Sequence, residues 1–98
     1  MGTVPDQDAA FLAFHADNPQ VYSELVRLAR KARRQGKTVV GIRMLWEVTR
    51  WNLWLRSKSA DEYKLNNNLT SRYARLIMKR ERDLKGIFNI RNLRRKSE

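Results

Sequence analysis

The chain is expected to be mainly α-helical: a single domain of four helices, the third of them central, with space for a small β ribbon in an atypical helix-turn-helix or winged-helix-like arrangement. Three observations lead there. Apolar residues recur at three- and four-residue spacing in separate runs. Helix start and stop signals, Asn18–Pro19 and then Gly36 and Gly86, divide those runs. And 98 residues, 42% of them hydrophobic, suit one core better than two, with residues 1–5 and 94–98 expected as flexible ends.

The first helix is expected across "PDQDAAFLAFHA", where Asp6 and Asp8 suit the positive end of the helix dipole and Phe11, Leu12 and Phe14 face inward. The second opens at "NPQVY". Asn18 can cap the unpaired amino-terminal N–H groups, and Pro19 fits a first helical position that needs no N–H. Val21, Leu25, Leu28 and Ala32 form its inward stripe, widened by Tyr22 and Ala29, and the helix stops at Gly36. Arg27, Arg30, Lys31 and Arg34 occupy its far side at i, i+3, i+4 and i+7.

A third helix starts between Thr38 and Ile42 and runs to about Arg56, although "KTVV" also reads as a short strand because β-branched residues favour one. It carries two apolar stripes, one of Ile42, Trp46, Thr49 and Leu53 and the other of Met44, Val48, Trp51 and Leu55. A helix apolar on two sides is usually sandwiched between neighbours, which makes this one central and puts Trp46 and Trp51 in the core. Arg43, Glu47, Arg50 and Trp54 share the remaining strip, with Trp54 in reach of a cation–π contact with Arg50.

The connector "SKSADEYKLNNN" is polar, with Tyr63 and Leu65 alternating as a strand would. A fourth helix follows from about Asn68 to Lys85, capped by one of Asn66, Asn67 or Asn68 and stopped by Gly86. Beyond it, Phe88 and Ile90 alternate in "IFNIRN", and the two alternating snippets are able to pair as the ribbon. On the fourth helix Leu69, Tyr73, Leu76, Ile77 and Leu84 gather on one side; Ser71, Arg72, Arg75, Lys79 and Arg82 gather on the other. Arg80 lies nearer the apolar side, where a carboxylate or the core edge would receive it.

Charge narrows the function. The net charge is +11, and its distribution is uneven: residues 1–20 hold three acids and no Lys or Arg, while residues 21–98 hold 21 Lys and Arg against 7 acidic side chains. Such a field attracts polyanions. With no cysteine, disulfide scaffolds and thiolate metal sites are excluded, and one histidine is too few for most transition-metal sites. No apolar run nears the roughly 20 residues of a membrane span, and "MGTVPDQDAA" is acidic where a signal peptide would be basic, so a cytoplasmic protein is expected. "RMLWEVTRWNLWLR" mixes Trp, Leu and Arg as interfacial helices do, but its two apolar sides point to an interior helix and no membrane partner.

Catalysis is not expected, nor any cofactor or metal. His15 has no identifiable partner for acid–base work and reads as a half-buried, locally hydrogen-bonded side chain. "DEYK", residues 61–64, matches only part of a metal-dependent nuclease signature. The expected function is nucleic-acid binding, duplex DNA first, through Ser71, Arg72, Arg75, Lys79 and Arg82, assisted by Arg27, Arg30, Lys31 and Arg34 and by the tail residues Arg94, Arg95 and Lys96. The alternative is a protein-interaction module whose basic surface meets an acidic partner without nucleic acid.

Three segments, "FLAFHADNPQVY", "KLNNNLTSRYARLIM" and "GIFNIRNLR", resemble small proteins encoded by bacteriophages and prophages, across most of the chain from Phe11 to Arg94. The resemblance implies a phage-derived protein in a bacterial cytoplasm, possessing a regulatory or DNA-associated role by analogy only, and assigns no residue a function.

Overall fold

The computed structural model describes residues 6–61 and 65–88, in which four α-helices run in order: α1 (Asp6–Asp17), α2 (Pro19–Arg34), α3 (Ile42–Arg56) and α4 (Thr70–Arg80). The protein is mainly helical, and no strand forms among the described residues. The ends 1–5 and 94–98, Tyr63 and Ile90 lie outside them.

Asn18 divides α1 from α2, though not by capping α2 with its side chain. Its Nδ2 and backbone N–H both donate to the Phe14 carbonyl, at 3.0 and 2.8 Å, so the side chain closes the end of α1 instead. The Gly36 signal acts as expected: Gly36 takes φ +90°, its N–H donates to Arg33 O and the Lys37 N–H donates to Ala32 O. Those paired bonds are the Schellman closure, which needs a left-handed residue that glycine adopts without a Cβ penalty.

Helix α3 packs on both α2 and α4 but buries one stripe only. Leu45, Trp46, Thr49 and Leu53 turn inward, and Trp46 meets Tyr73 of α4 with ring centroids 5.5 Å apart. The opposite stripe, expected to be covered, is open: Met44 is 60% exposed, Trp51 57% and Leu55 56%, with Val48 at 37%. Periodicity shows that a helix has two apolar sides without showing how many neighbours it has, and α2 and α4 pack against the same side. Trp51 is therefore not core. Leu12, expected inward on α1, is exposed as well, whereas Phe11 meets the edge of Tyr73 at 4.8 Å.

The asparagine run does cap. Asn66 Oδ1 accepts the Asn68 N–H at 2.9 Å and so fixes the 3₁₀ turn Asn67–Leu69 that leads into α4. Helix α4 ends at Arg80, short of the expected Lys85, because Glu81 adopts an extended conformation (φ −106°, ψ 102°) and a 3₁₀ turn, Arg82–Leu84, follows. That redirection drops Leu84 into the core with no solvent exposure. Past Gly86 (φ +79°), Phe88 forms a lone parallel bridge with Val40, with the Val40 N–H donating to Ile87 O at 2.8 Å. The pairing partner of this segment is thus the "KTVV" stretch.

Candidate nucleic-acid interface

The arginines of α2 divide by what they meet. Arg27 binds Glu24, one turn earlier, through Nη2 at 2.5 Å and Nε at 3.2 Å. Glu24 is buried, and it also accepts from Asn52 Nδ2 at 2.8 Å and Arg56 Nη2 at 3.0 Å on α3. The hydrogen bond from Arg27 and those from Asn52 and Arg56 outweigh the cost of burial and hold the Glu24 carboxyl down to about 2. Arg30 reaches out of α2 to the segment after α4: its Nη2 donates to Glu81 at 2.8 Å, and its Nε donates to Asp83 at 2.8 Å. The bond to Arg30 holds the Asp83 carboxyl below its ordinary value.

These bonds clamp α2 against residues 81–85. Tyr22 adds a hydroxyl donated to Glu81 Oε2 at 2.7 Å, and burial, aided by that bond, pushes the phenol up to about 12. Arg33 Nη2 donates to the Lys85 carbonyl at 3.3 Å. Arg80 lies over the Tyr22 ring, 5.4 Å from its centroid, which places it at the core edge.

One ridge results, where α2 from Tyr22 to Arg33 runs beside residues 80–85, with Lys79 next to it in sequence. It holds Arg30, Arg33, Arg34, Lys79, Arg80, Arg82 and Lys85 against two carboxylates, Glu81 and Asp83. A shallow cleft of about 380 Å³ opens in it, lined by Arg27, Arg30, Arg34, Tyr22 and Glu81. Arg34, Lys79, Arg82 and Lys85 are exposed, and among the described residues no carboxylate pairs with their side chains. Arg27 and Arg30 donate through Nε and Nη2, which leaves each Nη1 for an incoming oxygen, since a guanidinium carries five N–H donors.

The expected binding set is thus brought together only in part. Arg27, Arg30 and Arg34 line the cleft with Glu81, and Lys79 and Arg82 belong to the segment beside it, although Arg82 arrives from the turn after Glu81 and not from a continuous helical face. Ser71 and Arg72 sit half-buried in the first turn of α4, with Arg75 exposed one turn on. Ser71 and Lys79 are eight residues apart, or about 12 Å of helical rise. Lys31 points elsewhere: it lines an apolar hollow of about 280 Å³ between α2 and α3 with Leu28, Val39 and Met44. Arg94, Arg95 and Lys96 lie outside the described residues.

Sequence periodicity missed Arg33, Lys85, the two carboxylates that organise the ridge and Glu24 beside it. A signal for the acids existed, since Glu81 and Asp83 interrupt the basic run in "KRERD", but their partners lie 51 and 53 residues away. His15 is half-buried in an aromatic nest of Phe11, Tyr22 and Tyr73, yet its Nδ1 is buried without the local hydrogen bond expected of it. Burial, then the Arg80 charge, lowers its pKa. Trp54 leans on Trp51, centroids 5.3 Å apart, while Arg50 pairs with Glu47.

Among the described residues no three His, Asp or Glu side chains cluster as metal ligands would, and no helix is long and apolar enough to cross a membrane. Glu62, Tyr63 and Lys64 of "DEYK" lie outside the described residues. No family model, curated protein or solved structure matches the chain.

Proposed function

We propose that this protein binds nucleic acid, duplex DNA in the first place, by laying the α2–α4 ridge along the phosphate backbone. The observation that carries the proposal is the clamp itself: Glu81 and Asp83 hold Arg30, and with it α2, beside a segment rich in exposed cations. Two acids thereby hold one arginine and bring α2 beside a second stretch of bases. Phosphate oxygens are matched by guanidinium forks, and such contacts position a protein on a duplex without specifying sequence.

Arg34, Lys79, Arg82 and Lys85 supply the phosphate contacts, with the spare Nη1 groups of Arg27 and Arg30 in the cleft between them. Base reading through Ser71 and Arg72 is not part of the proposal, because both are half-buried at the far end of α4. The Val40–Phe88 bridge would be the seed of the ribbon in a winged-helix-like arrangement, and a phage-derived protein of a bacterial cytoplasm would be its setting. No catalytic role is proposed.

The test is a titration of labelled duplex, single-stranded DNA and RNA at several salt concentrations. Neutralising about five phosphates gives a slope of log K against log salt of about −4 to −5 on duplex. An affinity indifferent to salt contradicts the proposal, and tighter binding to a single strand or to RNA redirects it from duplex DNA.

A further inference from the structure

The open stripe of α3 is a feature the ridge does not use. Met44, Val48, Trp51 and Leu55 follow one another at spacings of four, three and four residues, the seam spacing with which one helix receives another. One hollow lies at the Met44 end of the seam and another along its flank beside Trp51. Near Met44 is the 280 Å³ space against α2; near Trp51 and Trp54 is a second of about 400 Å³, bounded by Glu47 and Arg50. An apolar strip with recesses beside it is suited to take large side chains from a partner helix, whereas a scatter of single exposed apolar residues is ordinary surface.

The borders of the strip are cationic. Lys31 and Lys37 line the α2 side at one end, and Arg56 stands at the other, 58% exposed beside Glu24. Arg43 and Arg50 follow the opposite flank by helical position, and the carboxylate among them, Glu47, is already paired with Arg50. A second copy of the chain would bring another +11 and the same arginines onto these flanks. Carboxylates would find partners on both.

We propose that the outer face of α3, with the groove it shares with α2, docks an acidic amphipathic helix of another protein. The partner's apolar residues at helical spacing lie on Met44, Val48, Trp51 and Leu55, and its Glu or Asp flanks meet Lys31, Lys37, Arg43 and Arg56. This face is separate from the ridge, so nucleic acid and partner helix are held at once.

The probe is a synthetic helical peptide with Leu at i, i+4, i+7 and i+11 and Glu on both flanks, compared by calorimetry with the same peptide carrying Lys in place of Glu. The Glu peptide is expected to bind and the Lys peptide not to. Val48→Asp and Trp51→Ser, both at exposed positions and expected to leave far-UV circular dichroism unchanged, are each expected to weaken binding at least about tenfold. A variant with Arg34→Glu and Arg82→Glu is expected to keep the peptide, which separates this face from the ridge. No binding of the Glu peptide, equal binding of the two peptides, or affinity that survives both seam variants overturns the proposal. So does self-association in sedimentation, or adsorption to equimolar phosphatidylglycerol–phosphatidylcholine vesicles, that Val48→Asp removes.

Discussion

Replacing Arg34 and Arg82 together, Arg34→Glu with Arg82→Glu, is expected to weaken duplex binding on the order of a hundredfold while the domain stays folded. Both side chains are exposed on the ridge, one from α2 and one from the turn after α4, and among the described residues neither has a carboxylate partner to lose. Folding is therefore spared. Losing two phosphate contacts costs roughly thirtyfold near physiological salt through the counterions no longer released, and the two glutamates add repulsion of the backbone. Arg75→Glu, on the outer face of α4 before the ridge, is expected to cost severalfold at most. Gel-shift or anisotropy titrations of the two variants side by side distinguish a ridge made by packing from a face made by one helix: an Arg75→Glu loss as large as that of the double variant would favour the helix face.

The largest effect on stability is expected from Glu24. Its carboxylate joins α2 to α3 through Asn52 and Arg56 and holds Arg27 on α2, inside the fold and nearly closed to water. A depression from 4.5 to about 2 corresponds to about 3 kcal/mol of preference for the ionised form in the folded state. The pH sign follows. Because the folded value lies below the unfolded one, this stabilisation is full above about 4.5 and is lost as pH falls toward 2. His15, a base whose folded value is also lowered, acts in the same direction below 6.5, where folding must resist its protonation. Glu24→Ala is expected to lower stability at pH 7 by about 3 kcal/mol, and both Glu24→Ala and Glu24→Gln to lose the steep acid dependence between pH 4.5 and 2. Urea melts across that pH range check both. A Glu24→Gln protein as stable at pH 7 as the unaltered chain, with the same acid profile, would remove Glu24 from this role.

The helical outline was legible in the sequence because its signals are local. Pro19 starts α2, Gly36 closes it through a backbone turn, and Asn66 caps the entry to α4, each acting within a few residues. What depended on distant packing was not. Two apolar stripes on α3 marked it as a helix with two greasy sides, but Trp46 and Trp51 are chemically alike, and only the positions of α2 and α4 decide that one is buried and the other open. The extended Glu81 that ends α4 lies in a helix-compatible run; Tyr22 and Arg30 hold its carboxylate, and both come from α2.

The candidate site shows the same division. Exposed cations such as Arg34 and Lys79 could be named from helical position, since a residue opposite an apolar stripe faces solvent. Arg27 and Arg30 had the same pattern and yet turn to carboxylates. Glu24 went unread, although an acid three residues after Val21 stands on the inward side of α2, where an acid requires partners. That those partners include Asn52 and Arg56 depends on how α3 lies across α2.

The most direct measurement is the backbone-amide NMR spectrum of the labelled protein as a short duplex is added at low salt. Shifts concentrated at residues 27–34 and 79–85, reversed by added salt, are the outcome expected if α2 and the segment after α4 form one phosphate-binding ridge. A spectrum unchanged by the duplex, or shifts confined to the α3 seam at residues 44–55, would contradict it.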